Sequence, residues 1–428
     1  MPRSLTSRPK GEELVQSRQP YRGNRLWRHS DFAKLWTGQT ISLFGSSITA
    51  LALPSVAILA LRAHAYQVGL LEAFQFLAFP LLGLPAGVWV DRLPRRAVMI
   101  VADVGRALAL GTIPLAWADH ALTLGQLYIV ALVVGVLTVF FDVAYQSYLP
   151  ALIDRADLIE GNSKLEISRS ASEVAGKGFG GILIQWLGAP ASVLVDALSF
   201  IASIVGLLAI RKREETASSS AIAEGFWREL RTGVDVVIKN PVLRNIALCT
   251  ATTNLSSAMI GAVFLIFAYR NLHLPPVLVG GVLAFGNLGF AGAFFGAGIA
   301  RRFGLGKTLM LTVVIGGLGT LLTAVAAFAL PVVFLLLSQL LESFTIPIYN
   351  VNQVSLRQAI TQPSVQGRMN ATVRAIVWGT LPLGSLIGGV LGSTIGILPT
   401  ILIAGFVFLA AALWIRFSAV FQLVSIPN

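Results

Sequence analysis

For a chain of 428 residues, this one has very little charge. Asp, Glu, Lys and Arg supply only 12% of it, against 55% hydrophobic residues and a mean hydropathy of +0.76. A water-soluble fold of this size needs a charged surface, so the composition excludes a soluble globular protein. Cysteine is nearly missing as well. Cys249 stands alone, which rules out a disulfide framework and a thiolate metal cluster. The four histidines (His29, His64, His120 and His273) fall near expected helix ends or loops, without metal-ligand spacing. No serine has a base and an orienting group patterned around it. The sequence therefore assigns no catalytic residue, no metal site and no cofactor. No cleavable leader is expected either, because a polar stretch precedes the first apolar run.

What the chain has in abundance is apolar runs long enough to cross a bilayer, which takes about 20 residues each. Twelve candidate spans are expected, near 33–62, 66–90, 97–118, 122–148, 166–188, 190–210, 242–269, 276–299, 307–329, 331–354, 370–394 and 397–418. They divide into halves that repeat one another about 208 residues apart. Asp142-Val-Ala-Tyr-Gln-Ser-Tyr-Leu-Pro-Ala-Leu152 matches Asn350-Val-Asn-Gln-Val-Ser-Leu-Arg-Gln-Ala-Ile360, and Asn162 falls on Asn370. Gly176, Gly180 and Gly181 fall on Gly384, Gly388 and Gly389. A duplicated bundle of membrane helices handling substrate where the halves meet is the architecture of alternating-access carriers. The expected organisation is a basic tail at 1–32, a six-helix bundle at 33–210, a linker at 211–241, a second bundle at 242–418 and a tail at 419–428.

The formal charge of +12 invites a nucleic-acid reading, which its distribution defeats. Eight of the 32 Lys and Arg precede residue 35, and nineteen lie in the loops after spans 2, 4, 6, 8 and 10 or at their helix ends. This asymmetry follows the positive-inside rule and places both termini in the cytoplasm. No nucleic-acid partner is expected; membrane lipids and a small-molecule substrate are. In the linker, Phe226, Trp227, Leu230, Val234 and Val237 recur at helical spacing, with Arg228, Glu229, Arg231 and Asp235 opposite, as in a helix lying on the inner leaflet. Gly304-Leu-Gly-Lys-Thr308 echoes a phosphate-binding loop, but Arg301 stands where its first glycine belongs and no strand precedes it. Transport is then expected to run on an ion gradient or on the substrate's own gradient.

Gly281, Gly286, Gly289, Gly292 and Gly296 run down span 8, and with the paired glycines of spans 5 and 11 they are expected to form close helix-packing seams. Between spans 2 and 3 stands Gly87-Val-Trp-Val-Asp91-Arg92-Leu-Pro-Arg95-Arg96, and the second half carries a degraded copy, Gly296-Ala-Gly-Ile-Ala300-Arg301-Arg302. The first resembles the loop signature of the major facilitator superfamily. Leu35-Trp-Thr-Gly-Gln-Thr40, Val195-Asp-Ala-Leu-Ser-Phe200 and Ile348-Tyr-Asn-Val-Asn-Gln353 resemble its bacterial branch of macrolide-efflux and enterobactin-exporter proteins. The resemblance implies an all-α fold of twelve transmembrane helices in two pseudo-symmetric bundles, acting as a monomer. It implies export of small amphipathic or hydrophobic compounds by rocking of the halves, with protons as coupling ion. It also implies a cytoplasmic latch of Asp91 against span 11, with Arg92, Arg95 and Arg96 pairing with acids such as Asp142. Gly87 is expected to let span 2 pack tightly against a neighbour.

Charge within a membrane span is expensive, so each instance needs a reason. Glu342 lies mid-way along span 10, a helix that the resemblance puts beside the central cavity. Desolvation favours the neutral form of a carboxylate, which suits a group exchanging protons; a counter-ion for a cationic substrate and a hydrogen bond to a neighbouring helix stay open. Glu173 and Lys177 are spaced i, i+4 on span 5. Related exporters carry proline where Lys177 stands, and Lys177 either neutralises Glu173 or faces the cavity. Asp103 with Arg106, and Asp196, read as structural; Glu72 reads as an outer gate or an interfacial side chain. Asn254, Asn287 and Gln39 read as polar contacts between helices. Import of a metabolite, lipid movement and a non-transporting sensor are the alternatives to export.

Overall fold

The computed structural model describes residues 26, 29–90, 92–154, 157–212, 214 and 226–425, and among these it contains helices and no strand. Fourteen helical segments follow in order. The first half comprises α1 (Ser30–Ser55), α2 (Ala65–Val90), α3 (Arg95–Ala118), α4 (Leu124–Leu152), α5 (Leu158–Leu187) and α6 (Ala189–Ala209). A linker helix, α7 (Phe226–Lys239), leads to α8 (Pro241–Ile266), α9 (Pro276–Gly286), α10 (Gly296–Phe303), α11 (Leu305–Val325), α12 (Pro331–Ala359), α13 (Gln366–Thr394) and α14 (Ile397–Arg416). Segments α9 and α10 are one broken span joined by a 3-10 stretch, Asn287–Phe295. Among the described residues, eleven spans are long and apolar enough to cross a membrane. The twelfth, α5, falls short in apolarity because it carries Glu166, Arg169, Glu173 and Lys177, yet it packs along α1 and α9.

The helices outrun the expected spans where polar sequence continues their hydrogen bonding at the basic end. Helix α5 begins at Leu158 rather than near 166, and α12 continues to Ala359. Thr123 and Asn240 cap α4 and α8 with side-chain oxygens, satisfying amides that the first turn leaves open. The repeat is also present in the backbone. Helices α1 and α8 both end in a π-helical turn, Val56–Ala60 and Phe267–Asn271. Left-handed residues recur in matched positions: Arg62 with His273, His120 with Leu330, and Gly188 with Gly396.

The glycines explain how the halves meet. Gly176 and Gly180 lie against Phe44, Ser47 and Ile48 of α1, whereas Gly181 meets Gly280 of α9 in the other bundle. The copies do the same: Gly384 and Gly388 lie against Leu255, Ala258 and Met259 of α8, and Gly389 meets Gly69 of α2. Each triplet therefore seats its helix in its own bundle with two glycines and joins the opposite bundle with the third. Gly286, Gly289 and Gly292 pack on α12, while Gly281 has open space around it.

Both glycine-to-glycine contacts between the bundles lie at the end away from the basic loops. At the basic end the picture reverses. A Cβ at Gly83 or Gly87 would meet nothing within 4 Å. The tight packing expected of Gly87 is therefore missing here, because the bundles are apart at that end. Asp91 lies outside the described residues. Helix α7 also departs from a free interfacial helix: Val237 is buried with Leu243, Met369 and Val373, and Gly233 abuts Arg368 and Thr372 of α13.

The asymmetry predicts unequal costs for adding side chains. Gly389→Leu must force two backbones apart and is expected to destabilise the protein by about 1–3 kcal/mol. Gly87→Ala is expected to stay within about 1 kcal/mol of the parent, as helix propensity alone dictates. Thermal unfolding midpoints in detergent compare the two.

Candidate functional site

The α2–α13 contact forms a ladder across the bundle interface. Gly69 and Gly389 touch at its outer end, and Ser385 donates a hydrogen bond to Glu72 at 3.3 Å a turn further in. Phe79 packs on Trp378 with ring centroids 4.8 Å apart. Below this pair, toward the basic end, opens a cavity of about 280 Å³ between α2, α4 and α13. Phe79, Trp378, Asp142, Gln146, Asn370 and Arg374 line it. Asp142 and Arg374 face it from opposite bundles, and the Arg374 guanidinium stacks 4.6 Å over the Trp378 ring. The cavity thus offers an aromatic wall, a carboxylate and a stacked cation, which suits an amphipathic molecule with a polar head.

Asp142 belongs to a larger buried charge group. Arg106 on α3 pairs with Asp103 one turn earlier, and its guanidinium is sandwiched between Phe141 and Phe200, 4.3 and 4.4 Å from their centroids. The same cation attracts Asp142 on α4 and Asp196 on α6. Asp196 also accepts from Ser199 at 3.0 Å and Ser46 at 3.3 Å, tying α6 to α1. One arginine thus pairs with one carboxylate and acts at longer range on two more inside the first bundle, and Arg374 adds a positive charge across the interface.

The arginines after α2 have other partners than Asp142 in this conformation. Glu214 accepts the Arg95 and Arg96 amides at 3.0 and 3.2 Å, capping α3, and its carboxylate lies 3.9 Å from the Arg95 guanidinium. Arg95 also donates to the Ser147 carbonyl, and Arg96 to that of Leu208. Arg92 is exposed. Asp31 accepts the amides of Arg211 and Lys212, so the start of the linker is bound to the first bundle. Glu214 was invisible to spacing arguments because it lies 119 residues from Arg95.

Glu342 is held inside the second bundle, where Thr320 of α11 donates to it at 2.6 Å. Lys177 pairs with Glu173 at 3.5 Å on their own helix, so neither meets Glu342. Asn254 donates to the Val377 carbonyl at 3.3 Å and lines a second cavity of about 90 Å³ with Thr312, Thr345 and Tyr349. Gln39 bridges α1 to α6 by donating to Ser203 at 3.0 Å. Arg374 is the cavity residue that charge counting passed over. Its position inside a span, in register with the aromatic Trp378 one turn on, was the available signal.

A match to the Major Facilitator Superfamily model spans residues 35–356. The chain belongs to the major facilitator superfamily. It is a multi-pass membrane protein and a transporter of small molecules rather than an enzyme. Relatives include the multidrug efflux pump Tap of Mycolicibacterium fortuitum, 27% identical over 371 residues that cover 84% of this chain and 88% of the pump. Macrolide efflux protein A of Streptococcus pyogenes is 22% identical over 386 residues, covering 89% and 94%. Among solved structures, a bacterial homologue of the iron transporter ferroportin in its inward-facing state superposes with a TM-score of 0.67 at 19% identity, covering 90% of this chain and 99% of that one. Its outward-facing state gives 0.59, covering 92% and 98%.

Removing the shared cation is expected to be costly. Arg106→Ala leaves Asp103 buried without its partner, a change of about 3–5 kcal/mol. Loss of folded protein on size-exclusion chromatography, partly restored by also changing Asp103 to Asn, is the expected outcome.

Proposed function

We propose that this transporter exports small amphipathic compounds by proton antiport, through rocking of α1–α6 against α8–α14. The observation that carries the reading is the cavity between the bundles, with its aromatic wall and the facing Asp142 and Arg374. The efflux functions of the relatives support the direction. The carboxylate and the arginine set into the cavity wall count against lipid movement, which calls for a wholly apolar lateral opening. The basic loops support an inner-membrane protein with that end in the cytoplasm. The conformation is then inward-facing, with the cavity open to the side from which an exporter loads. A single copy suffices, because the cavity is built from one chain.

In this reading substrate enters beside Asp142 and Arg374 and stacks its apolar part on Trp378 and Phe79. The bundles then close at the basic end and part at the glycine seams, releasing substrate outside. Glu342 and Glu173 are proposed to exchange protons during this cycle, with Lys177 setting the local charge around Glu173 and Asn254 shaping the smaller cavity. Asp91, Arg92, Arg95 and Arg96 are proposed to latch the basic end when it closes.

The test is proton movement in proteoliposomes carrying an internal pH probe, challenged with a panel of dyes, macrolides and siderophores. Substrate-evoked proton flux is expected from the parent protein, and silence across the panel contradicts the reading. Trp378→Ala removes stacking worth about 1–2 kcal/mol, so the substrate concentration for half-maximal flux should rise roughly five- to thirty-fold. Flux untouched in both Glu342→Gln and Glu173→Gln would remove those acids from the cycle.

A further inference from the structure

Glu72 is the acid that the sequence left between two roles, and its surroundings single it out. It lies on α2, one turn inside the point where Gly69 meets Gly389. Its carboxylate points across the bundle interface. Ser385 of α13 donates to it at 3.3 Å, and Gly261 of α8 presents its backbone face to the same oxygen. Glu72 therefore touches both helices of the opposite bundle that α2 meets.

The groups facing it bring no positive charge. On α13 the arginines are Arg368 and Arg374, and Arg374 is eleven residues, or about 16 Å, from Ser385. On α8, Arg244 is seventeen residues, or about 25 Å, from Gly261, with Cys249 in between; in the π turn that continues α8, Tyr269 hydrogen-bonds with Ser55, and Arg270, nine residues or about 14 Å from Gly261, donates to the Ile58 carbonyl. On α4 the nearest titratable side chain is Tyr128, packed on Phe74; Asp142, with Tyr145 and Tyr148 beyond it, stands two turns past Gly135, which abuts Gln75. On its own element Tyr66 lies at the helix start, stacked on His64. A half-buried carboxylate between two bundles, with one hydroxyl and no cation beside it, is favoured as the neutral acid over the anion.

The seam above it is the part that must open for release to the outside. Tyr66 donates its amide to Ser393 at 2.8 Å, and Gly69 abuts Gly389, so the closed seam bars a full hydration shell from the outer side. Parting α2 from α13 admits water from the outer side directly to Glu72. We propose that Glu72 is a proton-binding site that governs this seam: the acid is neutral while α2 and α13 are joined and ionises when they part. A proton taken from the outer side then favours closing and returns the carrier to its inward-facing form. This deepens the alternating-access reading and rests on it.

The sign follows from the proton count. The closed seam binds one proton more than the open one, so falling pH favours closure and rising pH favours opening. The test is a spin-label distance between His64→Cys and Ile395→Cys in the full chain, in a Cys249→Ser background reconstituted in nanodiscs. The His64 substitution also removes the histidine beside the seam. No substrate is needed. The closed-to-open ratio is expected to rise as pH falls over roughly pH 5 to 9, by up to about tenfold per unit, the limit for one linked proton. Glu72→Gln should hold the seam closed and unresponsive, Glu72→Met supplies a second neutral probe should the first not fold, and Glu72→Asp should keep the response. Glu166→Gln, on an exposed ion pair of α5, serves as the control and should behave as the parent. A pH-independent ratio in the parent, or equal pH dependence in the parent and the neutral variants, overturns the assignment. Either result leaves export standing, whereas silence in the flux assay sinks export without touching the seam measurement.

Discussion

The structure depends on backbone-to-backbone contact between bundles at paired glycines, Gly69 with Gly389 and Gly181 with Gly280. Apolar surface gives helices little reason to associate within a bilayer, because lipid is as apolar as leucine. Close approach of small residues replaces it, and here that approach is confined to one end of the molecule. The same helix α2 carries Gly83 and Gly87 at its other end with empty space around them. A packed end and an unpacked end on one pair of helices describe a lever caught at one of its two limits.

Charge is arranged around that lever rather than on it. In the first bundle a single arginine, wedged between two aromatic rings, pairs with Asp103 and lies near Asp142 and Asp196. Asp142 extends this group to the cavity, where Arg374 answers from the other bundle. Movement between the bundles therefore changes the electrostatic environment of a small set of groups while each bundle keeps its own polar contacts. Glu342 with Thr320, and Glu173 with Lys177, are satisfied within single bundles and travel with them.

Much of the fold was legible in the sequence because its physics is local. Apolar runs and the 208-residue repeat are read along the chain, and both survive in the helices and the matched π turns. The paired glycines were legible as packing positions, though not that the third of each set crosses to the opposite bundle. The site was legible only in part. Asp142 was visible as a latch acid and Glu72 as a gate or interfacial acid, but their neighbours Arg374 and Ser385 come from helices more than 200 residues away. Glu214 escaped for the same reason, and the close packing expected of Gly87 is not found in this conformation.

The most direct test of alternating access is to follow both ends of the α2–α13 pair in the same preparation. Distances between labels at Trp89 and Gly367 report the basic end, and those between labels at His64 and Ile395 report the outer end. The account predicts two populations: a short outer distance with a long basic one, as in this structure, and the reverse when the carrier turns. A population with both ends long, or two ends that shorten together, would contradict it.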